Sequence, residues 1–545
     1  MVSACIRCHS AFEITERDLD FYRRVSPVFN GKQYLIPPPT HCPTCRLQRR
    51  LSFRSQIFIY AVPSVTAGKK IFSSYPPEIP FPVLETKEWW GDGWDPLDFG
   101  QAADFEVPVF DQVLALRNVV PHYALSIDTA TCENSDFCNH AGWLKNCYLV
   151  FNTNNTEDCL YSENVLYSKD CIDCARCPKS ELCYDCVECA ECYNLQSSEF
   201  CDNCSDSYFL SNCRSCRHCI GCVNLRHAEY SVFNKQYTKE QYQDYLKGIN
   251  LASFKERSVI QDKFSGFKKE HPRPHVLNRM VENATGNYIF ESRAVHDSYF
   301  VRDAEDVRFG FNLDQNVKDC YDYSLFGCNA ELLYECVDCG YSSVNMQFCM
   351  GCWDGNADLL YCTRCMRCEY CFGCVGLKNK RFCIFNKQYA ESDYKELVPQ
   401  IIEHMQDTGE WGEFFPHSLS PIPYNHSYAY RYFPLPKAEA LSMGMTWHDK
   451  ELVSSKNAVP VADLPDRLPD TDEPFTALSA SSGKAFRITT QELQKYRRLK
   501  VPLPRAAYDE RMEQRAKRLG GIELFERQCA KTGQEILTTY PPDSP

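Results

Sequence analysis

The 545-residue chain has no unbroken run of about 18 apolar residues, which excludes a helix long enough to cross a membrane. Its first residues, "MVSACIRCHSAFEITERD", lack the apolar stretch of a secretory leader. The compartment expected is therefore the cytoplasm, where thiols stay reduced. Positive charge is in deficit: 59 Lys and Arg against 72 Asp and Glu give a formal charge of −13, which argues against a chain devoted to coating nucleic acid. Catalytic signatures are missing too. "TAGKK" and "SSGKA" lack the rest of a phosphate-cradling loop, and neither a two-histidine helical zinc motif nor a serine elbow occurs. No enzyme and no small-molecule substrate are expected.

Cysteine is what the chain has in excess, 34 residues of it. Cys132, Cys138, Cys147, Cys159, Cys171, Cys174, Cys177, Cys183, Cys186, Cys189, Cys192, Cys201, Cys204, Cys213, Cys216, Cys219 and Cys222 all carry numbers divisible by three. Other positions of that phase hold Ser135, Ala141, Leu144, Val150, Val165, Ser168, Ser180, Leu195, Ser198, Leu210, Leu225 and Ala228. A metal site cannot exchange thiolate for leucine, whereas an inward wall can, because a buried free Cys packs as a small hydrophobe. A period of three fits neither an amphipathic helix nor a flat strand. It fits a narrow parallel β-solenoid of about twelve residues per coil, with successive thiols about 4.8 Å apart. These coils resemble the twelve-residue, cysteine-containing coils of the small insect antifreeze β-helices, without the outward threonine pairs used there against ice.

Residues 213–237, "CRSCRHCIGCVNLRHAEYSVFNKQY", return at 365–389 as "CMRCEYCFGCVGLKNKRFCIFNKQY". Two copies of the solenoid are expected. In the second, the pairs Cys336/Cys339, Cys349/Cys352 and Cys362/Cys365 advance by thirteen, which implies an extra turn residue per coil. Its first coils use aromatics and valine instead. Each copy is followed by a helix-like segment, "TKEQYQDYLKGI" and "SDYKELVPQIIEHM", expected to cap the open end.

Both ends of the chain point elsewhere. "CIRC" at 5–8 and "CPTC" at 42–45 supply Cys5, Cys8, Cys42 and Cys45, two pairs of thiolates as a tetrahedral structural zinc requires. The pattern from "CIRCHSAFEITERDLDFYRRV" to "PPPTHCPTCRLQRR" resembles a small bacterial zinc-ribbon family, which implies one zinc ion and little more. At the other end, "GKAFRITTQELQKYRRLKVPLPRAAYDERMEQRAKRL" repeats the theme with Ser479, Ser482, Ala507 and Glu510 at the ligand positions, so no zinc is expected there. "AGKKIFSSYPPEIP" at 67–80 and "TGQEILTTYPPDSP" at 532–545 form a further related pair. Taken whole, the chain resembles uncharacterised proteins of candidate-phylum bacteria that join such ribbons to a cysteine-rich repeat, a resemblance that implies no activity.

The fold expected is mainly β: two duplicated cysteine-rich parallel β-solenoids, about 12–13 residues per coil, flanked by zinc-ribbon-like terminal domains. The divisions are 1–54, the zinc ribbon; 55–127, a second ribbon-like segment and Trp-rich connector; 128–237, the first solenoid; 238–284, a capping helix and linker. They continue as 285–389, the second solenoid; 390–473, a helix and proline-rich strap; and 474–545, degenerate ribbon-like segments. Trp89, Trp90 and Trp94 are expected to pack the ribbon on the solenoid or to cap its first coil. Three functions compete. The first is a non-catalytic zinc-binding scaffold with a protein partner or a second copy. The second binds nucleic acid through Arg46, Arg49, Arg50 and Arg54 of the ribbon. The third stores metal or redox equivalents in the thiol columns.

Overall fold

A period of three has its cause in the backbone. The computed structural model of the chain describes all residues except 67, 178–180, 182, 190–192, 450–456 and 545. Between residues 140 and 233, every described residue just before an inward position is left-handed, with φ from 44° to 68°. Each unit is thus two extended residues and one αL residue that turns the chain. Asn and Asp recur at the turning position (Asn146, Asn152, Asp158, Asn164, Asp170) because their short polar side chains tolerate αL best after glycine. Four units bring the chain back beside itself. Pairing is accordingly parallel at an offset of twelve, as in Tyr193↔Ser205, Ser205↔Arg217 and Arg217↔Glu229. Further bridges at the same offset, such as Leu160↔Ile172↔Tyr184 and Glu163↔Ala175↔Val187, lie on neighbouring sides of the coil.

The enclosed core of this first stack is made of residues in the cysteine phase, from Cys138 and Leu144 through Cys171 and Cys201 to Cys222, nearly all fully buried. Two positions of that phase, Ser180 and Cys192, lie outside the described residues. Among the described residues no two cysteines are joined as a disulfide. The inward thiols have a recurrent bond: Cys147 Sγ donates to the carbonyls of Lys145 and Thr156, both at 3.4 Å, and Cys222 Sγ to those of Ile220 and Ser231. Serine makes the same bond where it replaces cysteine, as Ser198 does to Gln196 O at 3.0 Å. A thiol therefore combines small apolar volume with a weak donor aimed at a carbonyl that the αL turn leaves inside.

A second stack follows from Arg279. It pairs at an offset of twelve in Arg293↔Glu305, at thirteen in Lys318↔Glu331↔Val344↔Ala357, and at twelve again in Ala357↔Glu369↔Arg381. The added residue sits at one corner, where two consecutive residues take positive φ: Gln315/Asn316, Cys328/Asn329, Tyr341/Ser342 and Asp354/Gly355. Cys328 is thus a corner residue that donates to Gln315 Oε1 rather than to the wall. Valines and leucine line the early coils, as at Val295, Val301, Val307 and Leu313. The aromatics expected beside them face outward instead, with Phe300 and Phe311 in the cluster that receives the terminal segments.

Both stacks end alike. Glu229–Val232 and Arg381–Ile384 each turn back into an antiparallel strand, Lys235–Gln236 and Lys387–Gln388. In the turn, Asn234 clips both main-chain groups of Val223, at 2.9 and 3.0 Å, and Asn386 clips those of Val375, both at 2.8 Å. These hairpins close the edges. The helices expected to do so, Lys239–Lys247 and Glu391–Thr408, lie instead against the sides, burying Tyr242 and Tyr394 among outward residues of the last coils. The tryptophans also serve a different place from the one expected. Trp89 is buried against Tyr123 and Met366, Trp90 packs on Trp353, and the Lys378 ammonium lies 4.9 and 4.8 Å from the Trp89 and Trp94 rings. The connector covers the end of the second stack, where Asn386 donates to Pro96 O and Gln101 N to Phe385 O.

Candidate metal centre

At the amino terminus, the strands Val2–Ala4 and Ala11–Glu13 form an antiparallel hairpin whose loop carries Cys5 and Cys8. Cys5 N bonds to Ser10 O and His9 N to Cys5 O, with His9 at φ 61°, so both thiols turn to one side. Helix α1, Glu16–Val25, follows the hairpin, and the other thiol pair opens helix α2, Pro43–Leu51. Cys42 is the N-cap of α2, Pro43 supplies the preset first turn, and Cys45 follows one turn on. The four sulfurs lie within 4.8 Å of one another. Cys8 Sγ and Cys42 Sγ are 3.6 Å apart, close to the ~3.8 Å edge of a tetrahedron with metal–sulfur bonds of ~2.3 Å. The donor set therefore fits a divalent thiophilic ion.

Electrostatics prepare the site for deprotonation. A hydrogen bond from Cys45 brings the Cys42 thiol down to about 6, and burial opposes it. Ser10 holds Cys8 below the ordinary thiol value. For Cys5, burial pushes upward, but bonds from the Cys8, Cys42 and Arg7 amides prevail and lower it. Cys45, as the proton donor, is raised. Among the described residues this is the one group of three or more His, Cys, Asp or Glu whose ligand atoms converge in this way.

From Cys45 onward, α2 and the residues just after it turn four arginines inward, three of them onto carboxylates of the second stack. Arg46 Nη2 lies 2.8 Å from Asp322, and Arg50 Nη1 lies 3.1 Å from Asp322 and 2.7 Å from Glu335. Arg49 reaches Glu413 at 2.8 Å, and Arg54 pairs with Asp338 while donating to Asn152 of the first stack. All four are buried, at 1, 6, 0 and 3 % exposure. They do not form the basic surface expected of them: their guanidiniums are committed to internal carboxylates. Helix α1 joins the same dock, stacking Phe21 on Tyr321 and holding Arg308 with Asp18 at 2.5 Å.

The carboxyl-terminal segment docks by the same device. Its helix Tyr508–Arg518 sends Arg511 and Arg515 to Asp173 of the first stack, at 2.8 and 3.0 Å. Tyr496 of the helix Thr490–Leu499 also donates to Asp173, at 2.9 Å. At the four positions matching the thiols, hydrogen bonds do the joining: Ser479 donates to Glu510, whose carboxylate also takes the Ala507 amide at 3.2 Å. Burial works against the Glu510 charge, yet bonds from Ser479, Ser482 and Ser481 keep it below the ordinary carboxylate value. The further related pair forms two hairpins, Tyr60–Pro63 with Lys70–Ser73 and Phe525–Gln528 with Glu535–Thr538; Ala67 and Pro545 lie outside the described residues. The Arg–Asp docks were missed in the sequence, where nothing ties Asp173 or Asp322 to an arginine hundreds of residues away.

No family model and no curated protein matches the chain. Among solved structures, a protein named as an acetyltransferase, from Desulfovibrio desulfuricans G20, aligns with 48% of this chain and 70% of its own at 6% identity and a TM-score of 0.08, a likeness that carries no argument.

Proposed function

We propose that this protein is a non-catalytic scaffold: two thiol-cored β-solenoids, products of an internal duplication, locked together by ribbon-like ends of which the first holds zinc. The observation that carries this reading is the position of the four-cysteine cluster, which sets the first turn of the helix whose next turn anchors the second stack through buried arginines. A metal so placed has a structural task. Four thiolates leave no open coordination position for substrate, as a catalytic zinc would keep. Duplication is supported by the matching Asn234 and Asn386 clips at the same place in each stack. Many cysteines with no disulfide among the described residues suit the cytoplasm, and the long solvent-facing sides of the coils suit a protein partner or a second copy.

Metal analysis of anaerobically purified protein tests this. About one zinc per chain is expected, lost in Cys42→Ser, with the wall thiols reacting only after denaturation. Several metals per chain, or iron, would sink the reading in favour of a thiol store. Affinity capture of the intact protein should bring down a protein in stoichiometric amount or give a dimer in sedimentation; a monomer that captures only nucleic acid, weakened steeply by salt, would reverse the ranking.

A further inference from the structure

The two stacks stand side by side, and where they diverge they leave a cleft of about 410 Å³, within the range of small-ligand sites. The flanks are tied by Arg176 of the first stack, which donates to Asn312 at 2.7 Å and lies 4.5 Å over the Phe300 ring, and by Asn154, which donates to the Tyr341 hydroxyl at 3.3 Å. The site is assembled from coils about 150 residues apart, so no contiguous motif marks it.

Three properties define what it can hold. First, its charges are largely spent inside the protein: Arg176 pairs with Glu188 at 2.8 Å, Arg302 with Glu291 at 3.3 Å, and Asp338 with Arg54. Second, it offers aromatic faces that stack on no other ring among the described residues. Trp143 and Tyr167 line the cleft at 47 and 54 % exposure. They occupy equivalent turning positions two coils apart, hence roughly 10 Å along one flank. Third, polar groups line the same cleft. Asp314 is half-buried and is bonded through one oxygen to the Gln315 amide at 2.8 Å; burial pushes its carboxyl up to about 6, with Arg302 and Arg176 pulling the other way. Asp128, Asn154 and Asn164 complete the set.

We propose that this cleft binds a neutral oligosaccharide. A sugar ring carries an apolar C–H face and an edge of hydroxyls that both donate and accept. The face suits the Trp143 and Tyr167 rings, and the hydroxyls suit the carboxylates and amides that line the same cleft. A charged ligand would find most opposite charges already paired, and burying an unpaired charge is costly. Two ring positions along the flank call for more than one sugar unit. This inference is independent of the metal reading, since the cleft contains none of the four thiols.

The experiment titrates the full-length protein by calorimetry with tetrasaccharides of β-linked glucose, α-linked glucose, mannose, xylose and N-acetylglucosamine, with spermidine and choline as cationic probes. At least one neutral tetrasaccharide should bind. Trp143→Ala and Asp314→Asn should each weaken it at least about tenfold, equivalent to about 1.4 kcal/mol, with unchanged thermal unfolding. Tyr193→Ala, an exposed aromatic of the same stack outside the cleft, should leave it unchanged. Binding of none of the neutral probes, binding of the cations alone, or binding indifferent to both cleft variants would overturn the proposal.

Discussion

Replacing Arg50 by methionine tests how the amino-terminal ribbon is held. Arg50 is fully buried, and so are Asp322 and Glu335, at 0 and 1 % side-chain exposure. Arg46 and Arg49 remain, but Arg49 lies 3.5 Å from Glu335 and Arg46 Nε 3.7 Å, so neither replaces the bond of 2.7 Å. Removing one partner of a buried pair costs about 3–5 kcal/mol because the other charge stays desolvated. Methionine restores most of the stem's apolar volume, and the loss expected is about 3 kcal/mol. The internal standard is Arg24→Met: Arg24 pairs with Asp319 at 2.7 Å but is about half exposed, so its loss should cost at most ~1 kcal/mol. Adding Glu335→Gln to Arg50→Met should recover part of the stability, since Asp322 keeps Arg46 at 2.8 Å and the uncompensated charge is then gone. Urea unfolding of metal-saturated protein, followed by circular dichroism and tryptophan fluorescence, reads all four proteins. Arg50→Met within about 1 kcal/mol of the parent, or equal to Arg24→Met, would refute the dock as a buried electrostatic lock.

Gly327→Ala should prevent the second stack from forming: Gly327 has φ +139°, and an added Cβ would lie 1.9 Å from the Asp314 carbonyl oxygen. Gly483→Ala, at φ +70° in open space, should cost only about 1 kcal/mol, and comparable melting of the two would disprove the packing described. In the thiol wall, Cys219 donates to Arg217 O and Ala228 O at 3.3 and 3.6 Å, so Cys219→Ser should stay within about 1.5 kcal/mol of the parent. Cys219→Leu should cost about 1–3 kcal/mol by overpacking, and a fall in metal content in either variant would contradict a wall. Burial lowers the histidines His122 and His417 to about 3 and His140 to about 4. Their folded values lie below the ordinary ~6.5, so the stability they contribute is complete above that pH and is lost as pH falls from there toward about 4 and then 3. Between pH 7.5 and 5.5 each should remove about 1.4 kcal/mol. His122→Gln should flatten that slope by up to one proton, and an unchanged slope would show that His122 takes up its proton as readily in the folded protein as in the unfolded chain.

The inward wall was legible because cysteine is rare enough to expose a phase and small enough to tolerate Ser, Ala or Val in its place. The thirteen-residue coils were legible too, as an extra turn residue per coil, but not the doubled αL conformation that the corner takes. Asn146, Asp158 and Asp170 carry the αL signal beside the cysteines, a signal the period of three alone does not reveal. The four-thiol cluster was legible because two CxxC pairs need no knowledge of distant partners. Arg46 and Arg50 were misjudged for the opposite reason: a run of arginines looks alike whether it faces phosphate or a carboxylate some 270 residues away, and burial decides. The cleft left no local trace at all.

The αL residue at every third position makes the chain's length a discrete variable. An insertion of twelve residues adds a turn and leaves every other side chain facing as before, and a single residue can be absorbed by doubling a corner, as Gln315 and Asn316 do. A single deletion inside a side has no such refuge, because it rotates each later wall residue into solvent until the hairpin at the stack's end. Growth and shrinkage of this protein over generations should therefore proceed by whole coils, with lone additions confined to corners.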